Sequence, residues 1–342
     1  MSNTSLHSFH IPVLGVCYSI DTPVKVARFG IASVISIMDD ELIEKMRQFH
    51  CEQTCRIFKP IAKAEDDYRA CRITAYLNLV HKIVNDQVTE MRLLPFDAEN
   101  ELAKYFEMLP SKSSIKIFYD EMKDLGDGKE KEAKQQLLKD AITAGAIDVN
   151  IMAKVDKNNL STSGEILPAE YSDALAALRG FANSNLESSI VFSAGYNPRL
   201  YNYIENFKDF YPDENNHLQK KIILKVSDYR SALIQGKLLA KKGLWVSEFR
   251  IESGLNCGGH AFATDGILLG VIFEEFKNKR EELLTELLAL CNKANLEKGN
   301  SSFTVKPKLK ITAQGGIGTS NEDRFLMEYY DLDGTGWGSP FL

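Results

Sequence analysis

Short apolar runs alternate with longer amphipathic stretches near the start of the chain. The run 10–16 has the length of a buried strand, and the segment after it has helix-start chemistry, with Pro23 near its first turn. A second β-branched run follows at 33–37, and Asp39 or Asp40 is placed to cap a further helix. This order of strand, helix, strand and helix predicts parallel strands.

The alternation stops between residues 50 and 145. This stretch is rich in charge, and its apolar residues fall three and four positions apart, as they do on one face of a helix. The mixed charge run 123–134 is typical of a solvated turn and the start of a helix. We therefore predict a helical insertion over 50–145.

Buried-strand patterns resume after the insertion and bring the number of candidates to eight. The first seven are each followed by helical sequence, and the six later runs lie at 148–153, 189–195, 221–226, 244–249, 309–313 and 336–338. Eight is the number of strands at which a parallel β/α sheet closes into a barrel. The pattern predicts a single domain over 1–342 with the α/β architecture of a TIM (β/α)8 barrel, interrupted after its second strand. An open doubly wound sheet is the alternative.

The eighth predicted strand lies at the end of the chain. No sequence after Leu342 is present to supply the helix that normally covers strand eight. We expect a longer polypeptide, another segment that covers this face, or association between copies of the chain, because an uncovered apolar face favours association.

Composition narrows the class of protein. A hydrophobic content of 44% with 26% charged residues is ordinary for a soluble globular protein. The net charge of -6, without a clustered basic face, argues against a nucleic-acid partner. The first ten residues lack the features of a signal peptide, and no run approaches the roughly 20 apolar residues of a membrane span. We expect a cytoplasmic protein with no membrane partner.

The six cysteines are scattered along the chain, which fits free thiols in a reducing compartment. His50, Cys51, Cys55 and Cys71 raise the question of a metal, because Cys51 and Cys55 would share one helix face. No further ligand follows at a familiar zinc or iron–sulfur spacing, so we predict no metal site.

Three stretches directly after predicted strands carry candidate chemistry, and barrel active sites form at the C-terminal ends of strands. The turn 315–319 is rich in glycine and precedes a helix, whose free N–H groups predict a phosphate site. His260 stands on a glycine-flanked loop after the sixth strand, and imidazole titrates near neutral pH. Lys225 ends the fifth strand, where an ammonium can hold the negative charge of an electron-accepting ring. The simpler interpretations are a plain turn, a surface histidine and a lysine that reaches solvent.

In combination these residues resemble the FMN-dependent nitronate monooxygenases, also described as 2-nitropropane dioxygenase-like, and the related FMN enoyl reductases. The matching positions, in the order and spacing of those families, are Lys225, the loop 254–260, the turn 313–317 and the end 338–342. The sequence departs from the pattern at Asn256, where the families have Glu, and at Gln314, an extra residue in the phosphate loop.

The resemblance implies a flavoprotein with FMN across the barrel mouth. It implies Lys225 near the flavin N1 and C2 carbonyl, and His260 facing a small-molecule substrate as base or hydrogen-bond donor. It implies a phosphate held by Gly315, Gly316, Ile317, Gly338 and Ser339. It also implies further FMN contacts at Gly15, Gly258, Gly259 and Gln314.

Several functions remain open at this level. A nitronate monooxygenase would pass electrons to dioxygen, whereas an enoyl reductase would take them from NAD(P)H. A phosphate-binding isomerase or lyase could use the same turn, with His260 as base and no flavin. A binding or scaffold subunit within a longer chain or a homo-oligomer is the remaining class.

Overall fold

The computed structural model describes residues 6–15, 19–96, 99–152, 156–161, 163–193, 195–252, 255–257, 260–261 and 269–338. Within these ranges it describes only the main chain of residues 193, 256, 257, 260 and 261.

Eight of the described strands form a closed parallel barrel. They are β1 (Phe9–Ile11), β2 (Ala32–Ser36), β3 (Ile147–Met152), β4 (Ser188–Ser193), β5 (Lys220–Val226), β6 (Val246–Ile251), β9 (Lys310–Gln314) and β10 (Gly334–Gly336). Each strand pairs with the next in this order, and β10 pairs back with β1 through Phe9 and Thr335. The hairpin β7 (Asn256–Cys257) and β8 (His260–Ala261) lies outside the barrel sheet. The predicted TIM (β/α)8 barrel is confirmed, and the open-sheet alternative is wrong.

Helices connect the strands. They are α1 (Thr22–Val26), α2 (Asp40–Gln53), α3 (Tyr68–Leu93), α4 (Glu101–Glu107), α5 (Ser114–Lys123), α6 (Lys129–Ala141), α7 (Asp173–Ala182), α8 (Pro198–Tyr203), α9 (Tyr229–Ala240), α10 (Leu269–Lys298) and α11 (Ser320–Tyr329). Short 3-10 helices lie at Ala27–Phe29, Ala169–Tyr171, Ile204–Asn206 and Lys208–Phe210. None of the helices described here is long and apolar enough to cross a membrane.

The cap of α2 shows how adjacent acidic residues divide their roles. The side chain of Asp39 accepts a hydrogen bond from the N–H of Leu42 at 3.0 Å, which satisfies a free donor of the first turn. Asp40 is buried instead and accepts from Arg72 of α3 at 2.8 Å. Of the two predicted capping residues, Asp39 is therefore the cap, and Asp40 ties α2 to α3.

The stretch predicted as a helical insertion has two parts that pack differently. Five apolar side chains of α3 join the main core between the strands and the helices: Ile73, Tyr76, Leu77, Val80 and Val84. The helix therefore belongs to the layer that covers the barrel. By contrast, α4, α5 and α6 enclose a smaller core of their own, which includes Phe106, Tyr119 and Leu138.

Lys220, at the start of β5, points to the outer side of the barrel, and its side chain is fully buried there, which is unusual for a lysine. Its Nζ donates to the carbonyl oxygen of Ser184 at 2.8 Å and to that of Leu186, and it lies 4.5 Å from the centre of the Phe181 ring. These contacts hold the segment that joins α7 to β4 against the start of β5. Burial lowers the pKa of Lys220 to about 8, since a buried ammonium loses its hydration.

This burial predicts a pH dependence of stability. The unfolded chain binds the Lys220 proton up to a pKa near 10.5, whereas the folded protein releases it from about pH 8, so the unfolded state binds more protons between these values. The contribution of Lys220 to the free energy of unfolding should therefore rise with pH from about 8 to 10.5, by up to about 3 kcal/mol. The measurement is urea unfolding of the parent and of Lys220→Met across this range. Lys241→Met, at an exposed position, should show no such trend, and a difference between parent and Lys220→Met that stays flat with pH would contradict the assignment.

Candidate active site at the C-terminal mouth

Charged side chains alternate along β6 and its extension. Glu248, Arg250 and Glu252 are two residues apart, so they point to the same face of the strand. The N–H of Glu252 donates to the carbonyl of Val226 at 3.0 Å, which continues the pairing with β5 beyond Ile251. Glu252 thus stands at the C-terminal mouth of the barrel, a position that the sequence interpretation had not assigned.

Lys225 and Glu252 form an ion pair at this mouth. Lys225 lies on β5 beside Arg250 of β6, and its Nζ is 2.6 Å from Oε1 of Glu252. The two side chains are only 13% and 10% exposed, so the pair is shielded from bulk water and is stronger than an exposed pair would be. A cavity of about 280 Å³ borders both residues and the adjoining Ser227, Ser231 and Gln235.

Gln314 connects this ion pair to the centre of the barrel. It is the last residue of β9, and its Nε2 donates to Oε2 of Glu252 at 2.6 Å. Its Oε1 lies 3.4 Å from Nε2 of His10 on β1. Since an amide oxygen only accepts hydrogen bonds, Nε2 of His10 is the donor.

His10 is uncharged at neutral pH. Burial, together with the positive charge of Arg250, lowers the pKa of His10 to about 3. The interior thus presents a continuous path of contacts from His10 through Gln314 and Glu252 to Lys225. Sequence reasoning had identified two members of this path, Lys225 and Gln314, and had placed Gln314 in the phosphate loop. The structure directs its side chain into the barrel.

The predicted phosphate turn follows β9 directly. Gly315 and Gly316 have φ values of 100° and 72°, a left-handed conformation that glycine adopts without strain. The N–H groups of Gly316 and Ile317 take part in no hydrogen bond among the described residues. The turn borders a cleft of about 250 Å³, whose other walls include Phe273 and Tyr330.

The helix α11 follows this turn, and the sequence predicted free N–H groups at its start. The structure shows instead that two of the N–H groups there are already hydrogen-bonded. Thr319 caps α11, and the Glu322 carboxylate accepts from the N–H groups of Gly318 at 2.8 Å and Thr319 at 2.9 Å. This reciprocal capping box already places a negative charge at the positive end of the helix. The expectation is therefore wrong for Gly318 and Thr319, and an anion at this turn would be held by Gly316 and Ile317.

The remaining predicted contacts are only partly described. Gly15 has φ 87°, and among the described residues no atom lies within 4 Å of the position that a Cβ would take there. Gly338 is buried two residues after β10. Gly258, Gly259 and Ser339 lie outside the described residues. For His260 the main chain is described, in the hairpin that follows Glu252, and the side chain is not.

The cysteines first considered as metal ligands are distributed over the helical layer. Cys51 is buried in α2, whereas Cys55 and Cys71 are exposed. Within the described part of the chain, no group of His, Cys, Asp and Glu side chains has the arrangement of a metal site.

Comparison with known proteins gives little information beyond the fold itself. No family model matches the chain, and neither does any curated protein. The structure is similar to the crystal structure of an IMP dehydrogenase/GMP reductase-like protein from Corynebacterium glutamicum ATCC 13032 Kitasato, with 12% sequence identity and a TM-score of 0.37. The match covers 97% of this chain and 63% of that protein. At this identity and TM-score, the match says nothing about the reaction.

The ion pair at the mouth can be tested by a double-mutant cycle. Lys225→Met and Glu252→Gln should each lower the free energy of unfolding, because each leaves a shielded charge without its partner. The coupling free energy between them should be about 1–3 kcal/mol, measured by urea unfolding of both single variants and the double variant. The exposed pair Lys293 and Glu297, 3.9 Å apart, is the matched control and should couple by less than about 0.5 kcal/mol. Additive effects at Lys225 and Glu252 would show that the two side chains do not interact in solution.

Proposed function

We propose that this protein is an FMN-dependent oxidoreductase of the nitronate monooxygenase type, which oxidises a small carbon acid such as an alkyl nitronate. One observation carries the proposal: the path Lys225, Glu252, Gln314 joins the lysine expected beside the flavin ring to the glycine turn expected at the phosphate. These residues come from three neighbouring strands at the C-terminal mouth, where barrel enzymes hold their substrates.

The described residues fit an FMN phosphate on the turn after β9. The N–H groups of Gly316 and Ile317 are available to an anion, and the left-handed backbone at Gly315 and Gly316 allows close approach. Glu322 restricts the position, since its carboxylate occupies the start of α11 and would repel a phosphate placed there. The phosphate should therefore bind on the Gly316 side of the turn.

Lys225 fits the ring end of the same cofactor. When bound, FMN supplies a two-electron acceptor for the oxidation of the carbon acid. The Lys225 ammonium would stabilise the negative charge of the reduced ring, and Glu252 would keep that ammonium at the mouth. His260 is proposed as the base or hydrogen-bond donor toward the substrate, because the hairpin that contains it directly follows Glu252.

An NAD(P)H-dependent enoyl reductase is the second candidate, and a different cavity favours it. Residues 159–161 and 167–171, which follow β3, and the segment 63–69 border a cavity of about 520 Å³. Leu160, Leu167 and Tyr171 give one side of this cavity an apolar wall that suits an acyl chain, whereas the segment 63–69 on the other side is mostly charged. The electron partner separates the two functions. Oxidation of the reduced flavin by dioxygen supports the nitronate monooxygenase, and reduction of the flavin by NAD(P)H supports the enoyl reductase.

The cofactor proposal predicts the identity of a bound ligand. The purified protein should show a flavin absorption spectrum, and mass spectrometry of the ligand released by heat should find FMN. Gly316→Ala should weaken FMN binding by on the order of tenfold, because a Cβ at this left-handed position strains the turn. Gly126→Ala, where a Cβ would meet no atom of the described part of the chain within 4 Å, is the control and should bind FMN as the parent does. Release of FAD, or failure to take up FMN on reconstitution, would exclude the proposal.

The two proposed functional side chains should respond differently to substitution. His260→Asn should leave FMN bound and its spectrum unchanged, while substrate reduces the flavin on the order of 10²–10⁴-fold more slowly. Lys225→Met should weaken FMN binding and make the flavin harder to reduce, because the charge that stabilises the reduced ring is lost. Anaerobic stopped-flow spectroscopy measures both effects. If His260→Asn reacts as fast as the parent, His260 has no part in the chemistry.

A further inference from the structure

The cavity beside the ion pair of Lys225 and Glu252 has a wall that is polar almost throughout. Beyond the ion pair, the described side chains on this wall are those of Val226, Ser227, Ser231 and Gln235. Ligand pockets are usually lined mostly by apolar side chains, with a few polar groups that select the ligand. Because polar groups predominate here, the cavity favours a ligand that forms hydrogen bonds.

Gln235 is held in a fixed orientation by a buried tyrosine. Gln235 lies in α9, and its Oε1 accepts a hydrogen bond of 2.8 Å from the hydroxyl of Tyr201 in α8. Tyr201 is fully buried, and its ring stacks on that of Phe192 with the ring centres 5.5 Å apart. Burial raises the pKa of Tyr201, so its hydroxyl keeps the proton and remains a donor.

The nitrogen end of the same amide is free to bind a ligand. Nε2 of Gln235 carries two N–H groups, and it takes part in no hydrogen bond among the described residues. Since Tyr201 engages Oε1, Nε2 is the atom that Gln235 offers to a ligand in the cavity.

Two serine hydroxyls add an acceptor and a further donor. The hydroxyl of Ser227 donates to Oδ2 of Asp228 at 2.8 Å, which uses its one hydrogen and leaves its oxygen as an acceptor. Oγ of Ser231 lies 3.5 Å from Oγ of Ser227, whereas O–H···O bonds usually measure about 2.5–3.0 Å. The Ser231 hydroxyl has no closer partner within the described part of the chain, so it can donate to a ligand.

The charges around the cavity do not favour a charged ligand. Lys225 and Glu252 are paired with each other, with 2.6 Å between the ammonium nitrogen and the carboxylate oxygen. Asp228, next to Ser227 in the chain, adds a negative charge nearby and accepts from the N–H of Ser231 at 2.7 Å. A charged group would have to displace these contacts or approach Asp228, whereas an uncharged polar group would complete the free hydrogen bonds.

We propose that this cavity determines the substrate class: it binds an uncharged hydroxyl or amide group carried on the chain of the carbon acid. Gln235 is the specificity-determining donor, and Tyr201 is a positioning residue. The inference rests on the proposed function, which assumes the flavin ring at Lys225 and the substrate beside that ring. A plain alkyl chain in the cavity would leave the Gln235 N–H groups and the Ser231 hydroxyl without partners, which is costly. The volume of about 280 Å³ is sufficient for a short substituted chain.

A matched pair of ligands tests the proposal. The compounds 3-nitropropanol and 1-nitrobutane have chains of equal length and differ only in a terminal hydroxyl in place of a methyl group. Ligand-observed NMR titration of the purified protein should show the alcohol bound on the order of tenfold more tightly, or more. Stopped-flow reduction of the flavin by the two nitronates should show the same preference in kcat/KM.

Variants of the wall assign this preference to Gln235. Gln235→Leu should weaken binding of the alcohol and strengthen binding of 1-nitrobutane, so that the preference is lost or reversed. Tyr201→Phe should reduce the preference by a smaller factor, because the amide loses the bond that orients it. Gln136→Leu, on the exposed surface of α6, should keep the preference of the parent. Both ligands are measured on each variant, so a general loss of folding would weaken both and would not mimic a change of preference.

This inference and the proposed function fail in different ways. If neither nitronate reduces the flavin, but the protein prefers the alcohol and the preference requires Gln235, the proposed oxidation is wrong and the assignment of the cavity stands. If both nitronates reduce the flavin with equal kcat/KM and both ligands bind equally, the proposed function stands and the inference is wrong. A preference for the alcohol that persists in Gln235→Leu would also overturn the inference.

Discussion

The barrel depends on one constraint: three charged side chains alternate along β6 and its extension, with Glu248 and Arg250 inside the barrel and Glu252 at its C-terminal mouth. Charges that are withdrawn from water must be paired, or the protein loses several kcal/mol for each. Glu248 and Arg250 pair with each other, and Glu252 pairs with Lys225 on the preceding strand. The polar residues on the neighbouring strands follow from this requirement.

The same constraint explains the glycine at the end of β10. A Cβ at Gly336 would lie 2.6 Å from Cβ of Gln314 and 2.9 Å from Nε2 of His10. Only a residue without a side chain leaves room for the contact between these two polar groups. Charged and polar side chains therefore fill the part of the barrel interior next to β6. Val34, Val191 and Ile223 pack as a small apolar cluster elsewhere within it. Stability comes mainly from the larger apolar core between the strands and the helices.

Much of the fold could be predicted from the sequence because buried parallel strands are local features. Each appears as a short apolar run, the first seven runs are followed by helical sequence, and eight such runs imply closure. The role of α3 could not be predicted in this way, since helical periodicity shows that one face is buried but not what covers it. The burial of Lys220 was equally hidden, because the carbonyl groups that it contacts come from a distant loop.

The candidate site was predictable to a lesser degree. Lys225 was recognised because it stands near the end of an apolar run, whereas Glu252 lies beyond its run and resembles a solvent-exposed loop residue. The alternation of Glu248, Arg250 and Glu252 was a visible signal, but charged residues at alternate positions usually indicate an exposed strand face. The capping role of Glu322 was also visible, in its spacing of three residues from Thr319.

The central claim is that FMN binds across the C-terminal mouth, between Lys225 and the turn after β9. A crystal structure of the protein with its bound flavin tests this most directly. The account predicts the phosphate within hydrogen-bond distance of the Gly316 and Ile317 N–H groups, and the Lys225 ammonium beside the N1 and C2 carbonyl region of the ring. A flavin bound at another face of the barrel, or a mouth in which Lys225 points away from the ring, would contradict it.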